Sequence, residues 1–131
     1  MITEQEIDKL EACRETDVLM AQVAGWQWVT NEDGVKFLRH PDRFEYGAEL
    51  LPLGLVKFLP SLPYFSTDIA ALFDVLEDIF PWPECQVEIR TDVNGNWRTC
   101  ITYVTSSSMF VGVDKSICVA IDRAVLKAAI R

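Results

Sequence analysis

The sequence predicts an α+β fold: an α-β-α sandwich in which an antiparallel sheet of two hairpins, with room for one short extra strand, is covered by three helices. Three observations predict it. The elements run helix, hairpin, helix, hairpin, helix along 131 residues. Each expected hairpin is centred on a strong turn signal, Asn31-Glu32-Asp33-Gly34 in the first and Asn94-Gly95 in the second. The middle helix has one broad apolar arc opposite a charged one, the pattern of a helix lying on a sheet.

The first helix opens on Thr3-Glu4-Gln5-Glu6, a capping-box sequence, carries Ile7, Leu10, Val18 and Ala21 as a rough apolar stripe, and ends at Gly25, with Thr16-Asp17 as a point where it can restart. Alternation follows in Trp26–Val29 and Val35–Arg39, where Trp26 and Trp28 share a face, as do Val35, Phe37 and Arg39. Residues 40 to 65 hold Pro41, Pro52, Pro60, Pro63, Gly47 and Gly54 and read as a long loop, whose leucines predict that it lies packed on the core. Ser66-Thr67-Asp68 caps the second helix, Pro81 stops it, and Ile69, Leu72, Phe73, Val75, Leu76, Ile79 and Phe80 form its apolar arc. Asp74, Glu77 and Asp78 fill the opposite arc and read as a solvated face rather than a metal site. Cys85–Arg90 and Trp97–Val104 alternate, and Met109–Val113 supplies the short extra strand. The last helix, from about Lys115 to Ile130, has a core stripe of Ile117, Ile121, Ala124 and Ala128, widened by Cys118 and Val125. Apolar side chains on both faces of the expected sheet (Trp28 and Val29; Cys100 and Ile101) favour helices on both sides.

Length and composition fit a single domain over residues 1–131, with half the residues apolar. The net charge of −8 and pI near 4.5 disfavour long nucleic acids, since the basic residues are not segregated into a patch. A small anion remains compatible, because two or three cations in one pocket suffice to hold it. No apolar run approaches the ~20 residues of a membrane span, and the acidic N-terminal segment lacks the features of an export signal. The expectation is a protein that stays in the cytoplasm. Cys13, Cys85, Cys100 and Cys118 contain no C-x-x-C pair and read as free core thiols, so neither a metal nor another cofactor is expected. With His40 the only histidine, and no phosphate-cradling glycine motif, no self-contained catalytic set is expected either.

Pro63-Tyr64-Phe65-Ser66-Thr67-Asp68-Ile69-Ala70-Ala71, followed by Val75-Leu76-Glu77, resembles the proline-tyrosine-serine-threonine-aspartate segment of the phage ABA sandwich domain family. The ending Ile117–Ala128 resembles that family's C-terminal helix, and Gly25-Trp26 its early glycine-tryptophan. These anchors span residues 25 to 128; the departures are the extra Phe65, Asp122 where a cysteine is common, and a longer middle loop. The resemblance implies an α-β-α sandwich encoded by phages or prophages. Similar proteins sequester cyclic nucleotide immune signals, of the cyclic ADP-ribose type or cyclic oligonucleotides, as oligomeric sponges that do not cleave them.

A sponge needs aromatic faces for bases, cations for phosphates and polar groups for ribose. The candidates are Trp26, Tyr64, Phe65, Ser66, Thr67, Asp68, Arg98, Arg123 and Lys127, with Arg123 and Lys127 one turn apart on the last helix. Plainer roles stay open beside these: a snorkelling surface arginine for Arg123, core packing for Tyr64 and Phe65, helix capping for Ser66 and Asp68. A second apolar stripe on the last helix, Val119, Leu126 and Ile130, predicts a homodimer or higher homo-oligomer interface. The alternative function is a phage accessory module that binds a host protein and takes no small ligand.

Overall fold

The computed structural model describes residues 2–130 and contains four helices and two separate antiparallel sheets. In chain order they are α1 (Glu4–Ile7), α2 (Arg14–Val23), β1 (Gln27–Thr30), β2 (Lys36–Arg39), β3 (Tyr46–Leu50), β4 (Val56–Phe58), α3 (Ile69–Ile79), β5 (Cys85–Thr91), β6 (Trp97–Tyr103), β7 (Met109–Asp114) and α4 (Ile117–Ile130). Strands β1 to β4 form a four-stranded sheet in sequence order, and β5 to β7 a three-stranded one. The expectation of one sheet under three helices is corrected on both counts, while the mixed α+β class stands.

The two extra strands come from the segment expected to be a loop. β3 pairs with β2 and β4 with β3, joined by a 3-10 turn at Pro52–Gly54. The sequence hides β3 because its second and third residues are small. At Gly47 a Cβ would lie 3.0 Å from the Trp26 ring and 3.1 Å from Leu62, so packing demands a residue of poor strand propensity. This sheet turns Trp28, Leu38, Ala48 and Phe58 to the core. Phe37 lies on the other side with Val29 and Glu49. The turn is not packed down throughout: Leu53 is 98% exposed, with φ 68°, and Leu55 is also exposed.

The first expected helix is two. Thr3 and Glu6 make the reciprocal capping box, α1 stops after one turn, and α2 restarts from Cys13. Only Cys85 and Cys118 are buried thiols; Cys13 is exposed and Cys100 lies half-buried on β6, which corrects the reading of four core thiols.

α4 is the centre of the molecule. One side packs on β6 and β7, and α1, α2 and α3 pack against it elsewhere. Gly112 on β7 makes the close approach work: a Cβ there would lie 2.1 Å from the Ala120 carbonyl oxygen and 2.6 Å from the Ala124 nitrogen. Because α4 is enclosed this way, Val119 and Leu126 are buried within the chain, and Ile130 is half-buried against the same core. The premise that this stripe needs a second copy to cover it is therefore corrected. No helix is long and apolar enough to cross a membrane among the described residues.

Candidate functional site

A cleft of about 410 Å³ opens between α3 and the loop that joins β2 to β3. The helix contributes Ala71, Asp74, Val75, Asp78 and Ile79, residues three to four apart that share a face. The loop contributes His40, Asp42, Arg43 and Glu45, and it is held in shape by its own hydrogen bonds. His40 N–H donates to the Glu45 carbonyl (2.9 Å), while the His40 Nδ1 accepts from the backbone N–H groups of Asp42 (3.0 Å) and Arg43 (3.1 Å). The His40 ring meets Trp26 edge-on, with centroids 5.0 Å apart. Trp26 and Phe65, both buried, close the cleft from beneath.

The electrostatics of this cleft are lopsided. Asp42, Glu45, Asp74 and Asp78 face one guanidinium, Arg43, which gives −3 with His40 neutral. Arg43 reaches Glu45 at 3.7 Å, and both are well exposed. Four carboxylates around an aromatic floor attract a cation and repel a phosphate. Ser61 is the one hydroxyl among the lining residues, and the His40 Nδ1 is already occupied as an acceptor.

Of the residues predicted to bind a ligand, the structure brings only Trp26 and Phe65 into this cleft. Tyr64 lies outside it, with the Arg14 guanidinium 3.9 Å above its ring. Ser66 is buried, donating its N–H to Asp17 Oδ1 (2.7 Å) and its hydroxyl to the Cys13 carbonyl (3.3 Å). Thr67 is exposed, and Asp68 accepts from Ala70 N–H as the α3 cap. Arg98 stands on the face of β6 opposite Thr99 and Ile101, the buried pair that turns to the core.

Arg123 and Lys127 are committed to the fold. Arg123 donates to the Val113 carbonyl and, at 2.7 Å, to the Leu10 carbonyl, and it pairs with Asp114 at 3.3 Å. Lys127 donates to the Val111 carbonyl (2.8 Å) and pairs with Asp8 (2.7 Å). Arg123 is 12% exposed, so the alternative of a snorkelling surface arginine is corrected: it ties β7 and the chain before α2 to α4.

Sequence reasoning missed Arg14 and Asp17. Their ion pair measures 2.7 Å, and Arg14 also donates to the carbonyls of Leu62 (2.8 Å) and Pro63 (3.3 Å), holding the segment that leads to Phe65. The Arg-x-x-Asp spacing at the start of a helix was the available signal. Behind it lies a buried junction. Asp122 is fully buried with neither carboxyl oxygen hydrogen-bonded. Burial, reinforced by the charge of Asp17, pushes its pKa up to about 9. The Cys118 thiol is also pushed up, first by burial and then by Asp122 and Asp68. Among the described residues no group of three or more histidine, cysteine or acidic side chains could hold a metal ion.

No family model, curated protein or solved structure matches the chain.

Proposed function

We propose that this protein is a non-catalytic interaction module, a phage accessory protein at work in the host cytoplasm, whose cleft beside α3 seats a cationic group presented by a partner protein. The observation that carries this reading is the cleft's charge: Asp42, Glu45, Asp74 and Asp78 converge with only Arg43 to offset them, over a floor of Trp26 and Phe65. A lysine or arginine side chain matches that chemistry, and Arg is the better fit because its plane stacks on aromatic faces as its donors reach carboxylates. Titration calorimetry with a short oligo-arginine peptide tests it. Binding that disappears in Asp74→Asn/Asp78→Asn supports the reading; no binding, or binding untouched by that variant, refutes it.

The cyclic nucleotide sponge is the second reading. It is favoured by one further observation: Trp26, Pro63 and Phe65, residues of the segments on which the family resemblance rests, border this same cleft. In that case the exposed Arg43 supplies the phosphate contact, and Arg123 and Lys127 do not take part. Incubation with cyclic ADP-ribose, heat denaturation and chromatography of the supernatant test it, with recovery of the intact compound expected of a sponge.

A further inference from the structure

The three-stranded sheet has two edges, β5 and β7, and they are finished differently. On β7 the Val111 and Val113 carbonyls are taken by Lys127 and Arg123, so side chains of α4 cap that edge. These carbonyls turn away from β6, and this fixes the phase of the whole sheet. Val111 and Val113 lie opposite Cys100 and Arg98, which therefore turn their backbone groups toward Glu88 and Arg90 of β5. It follows that Val87, Ile89 and Thr91 turn theirs outward. The Cys85 N–H obeys the same phase, donating outward to the Pro81 carbonyl at 3.0 Å. Beyond Cys85 nothing closes the edge: among the described residues Val87, Ile89 and Thr91 make no backbone bond on that side. A groove of about 770 Å³ flanks the start of the strand, between β5 and Leu76 and Glu77 of α3 with Phe80 just after it, and Trp82 is exposed at its end.

Edges left open invite pairing, and proteins usually block them with bulges, prolines, charged side chains (lysine above all) or a covering element. β5 has no bulge, proline or lysine, and its two charged side chains, Glu88 and Arg90, are of opposite sign and pair with each other at 3.2 Å within the chain. It runs seven residues in unbroken register with β6. Its free stretch is centred on Ile89, and the residues either side of that centre are Glu88 and Arg90, both 63% exposed and on the face away from the core. An antiparallel strand related by a two-fold axis through Ile89 sets Glu88 opposite the second copy's Arg90, and Arg90 opposite the second copy's Glu88. Those are the non-hydrogen-bonded positions, where facing side chains come closest. Val87 meets Thr91, and Ile89 meets itself.

We propose that β5 pairs edge to edge with β5 of a second copy of this chain about that axis, joining the two three-stranded sheets into one continuous sheet. This pairing is independent of what the cleft binds.

Sedimentation equilibrium provides the test. Wild-type protein is expected to dimerise reversibly. Glu88→Arg and Arg90→Glu, each alone, place like charges opposite one another and should weaken the dimer roughly tenfold or more, with circular dichroism unchanged. Mixed in equal amounts the two variants should associate again, because a strand with cations at both positions then faces a strand with carboxylates at both. A monomeric wild type overturns the proposal. So does a dimer that both reversals leave intact, or a mixture that fails to restore association.

Discussion

The cleft beside α3 and the junction beneath α4 are both rich in carboxylates, yet they treat them in opposite ways. Asp74 and Asp78 stand exposed on α3 with no ion pair to a basic side chain among the described residues. Asp17 and Asp122 are enclosed, one held by Arg14 and the Ser66 N–H, the other kept neutral by its surroundings. The cations divide the same way. Arg123 and Lys127 are drawn inward to backbone carbonyls, while Arg43 remains outside at the cleft. Charged residues absorbed by the fold are structural; charge left facing a concavity is available to a partner.

If this contrast holds, substitutions in the α4 region act on stability and substitutions in the cleft act on binding. The largest effect is expected at Gly112. Gly112→Val would drive a side chain into the Ala120 and Ala124 backbone, which cannot move without displacing α4. A loss of at least about 3 kcal/mol in urea unfolding is expected. A variant as stable as wild type would show that α4 does not lie against β7 as described.

Asp122 comes next. Its pKa of about 9 in the folded protein lies above the ordinary 3.8, so the native state keeps a proton that the unfolded chain releases. Stability from this group is therefore greatest below about pH 4, falls as pH rises toward 9, and levels off above that. Asp122→Asn carries no charge at any pH and should be more stable at pH 7 by on the order of a few kcal/mol. Unfolding curves at pH 5 and pH 8 check this, since the advantage over wild type should grow between them. A constant difference would mean that the carboxyl is ionised or solvated.

Arg123→Ala follows, with an expected loss of roughly 1–3 kcal/mol from the abandoned Val113 and Leu10 carbonyls and no change in ligand affinity. Full stability together with lost binding would reverse the assignment of the two regions.

These two regions also differ in how far the sequence revealed them. The bounds of α3 were legible, because its cap and its stop at Pro81 are local signals, but Phe73, expected in its apolar arc, is exposed. Its apolar period put Asp74 and Asp78 on the exposed face, but nothing local could say that the loop after β2 stands across from them. α4 was legible as a helix with a core stripe. Its second stripe of Val119 and Leu126 pointed to an outside partner, because the sequence does not show that α4 lies between a sheet and three other helices. Arg123 and Lys127 looked free for the same reason: their acceptors are carbonyls of Val111, Val113 and Leu10, which every sequence has and no motif marks. β3 was missed because Gly47 and Ala48 answer to Trp26 and Leu62, which lie elsewhere in the chain.

The smallest change in stability is expected in the cleft. Asp74→Asn and Asp78→Asn alter exposed side chains outside any hydrogen-bonded cap and should shift unfolding by no more than about 0.5 kcal/mol. Destabilisation beyond about 1 kcal/mol would place these acids among the structural charges.

The division between the two regions is tested most directly by mapping amide chemical shifts while wild-type protein is titrated with a short oligo-arginine peptide and, separately, with cyclic ADP-ribose. Changes confined to residues 40–45 and 71–79 with the peptide are predicted, with α4 silent. Perturbations centred on Arg123 and Lys127, or none with either compound, would contradict it.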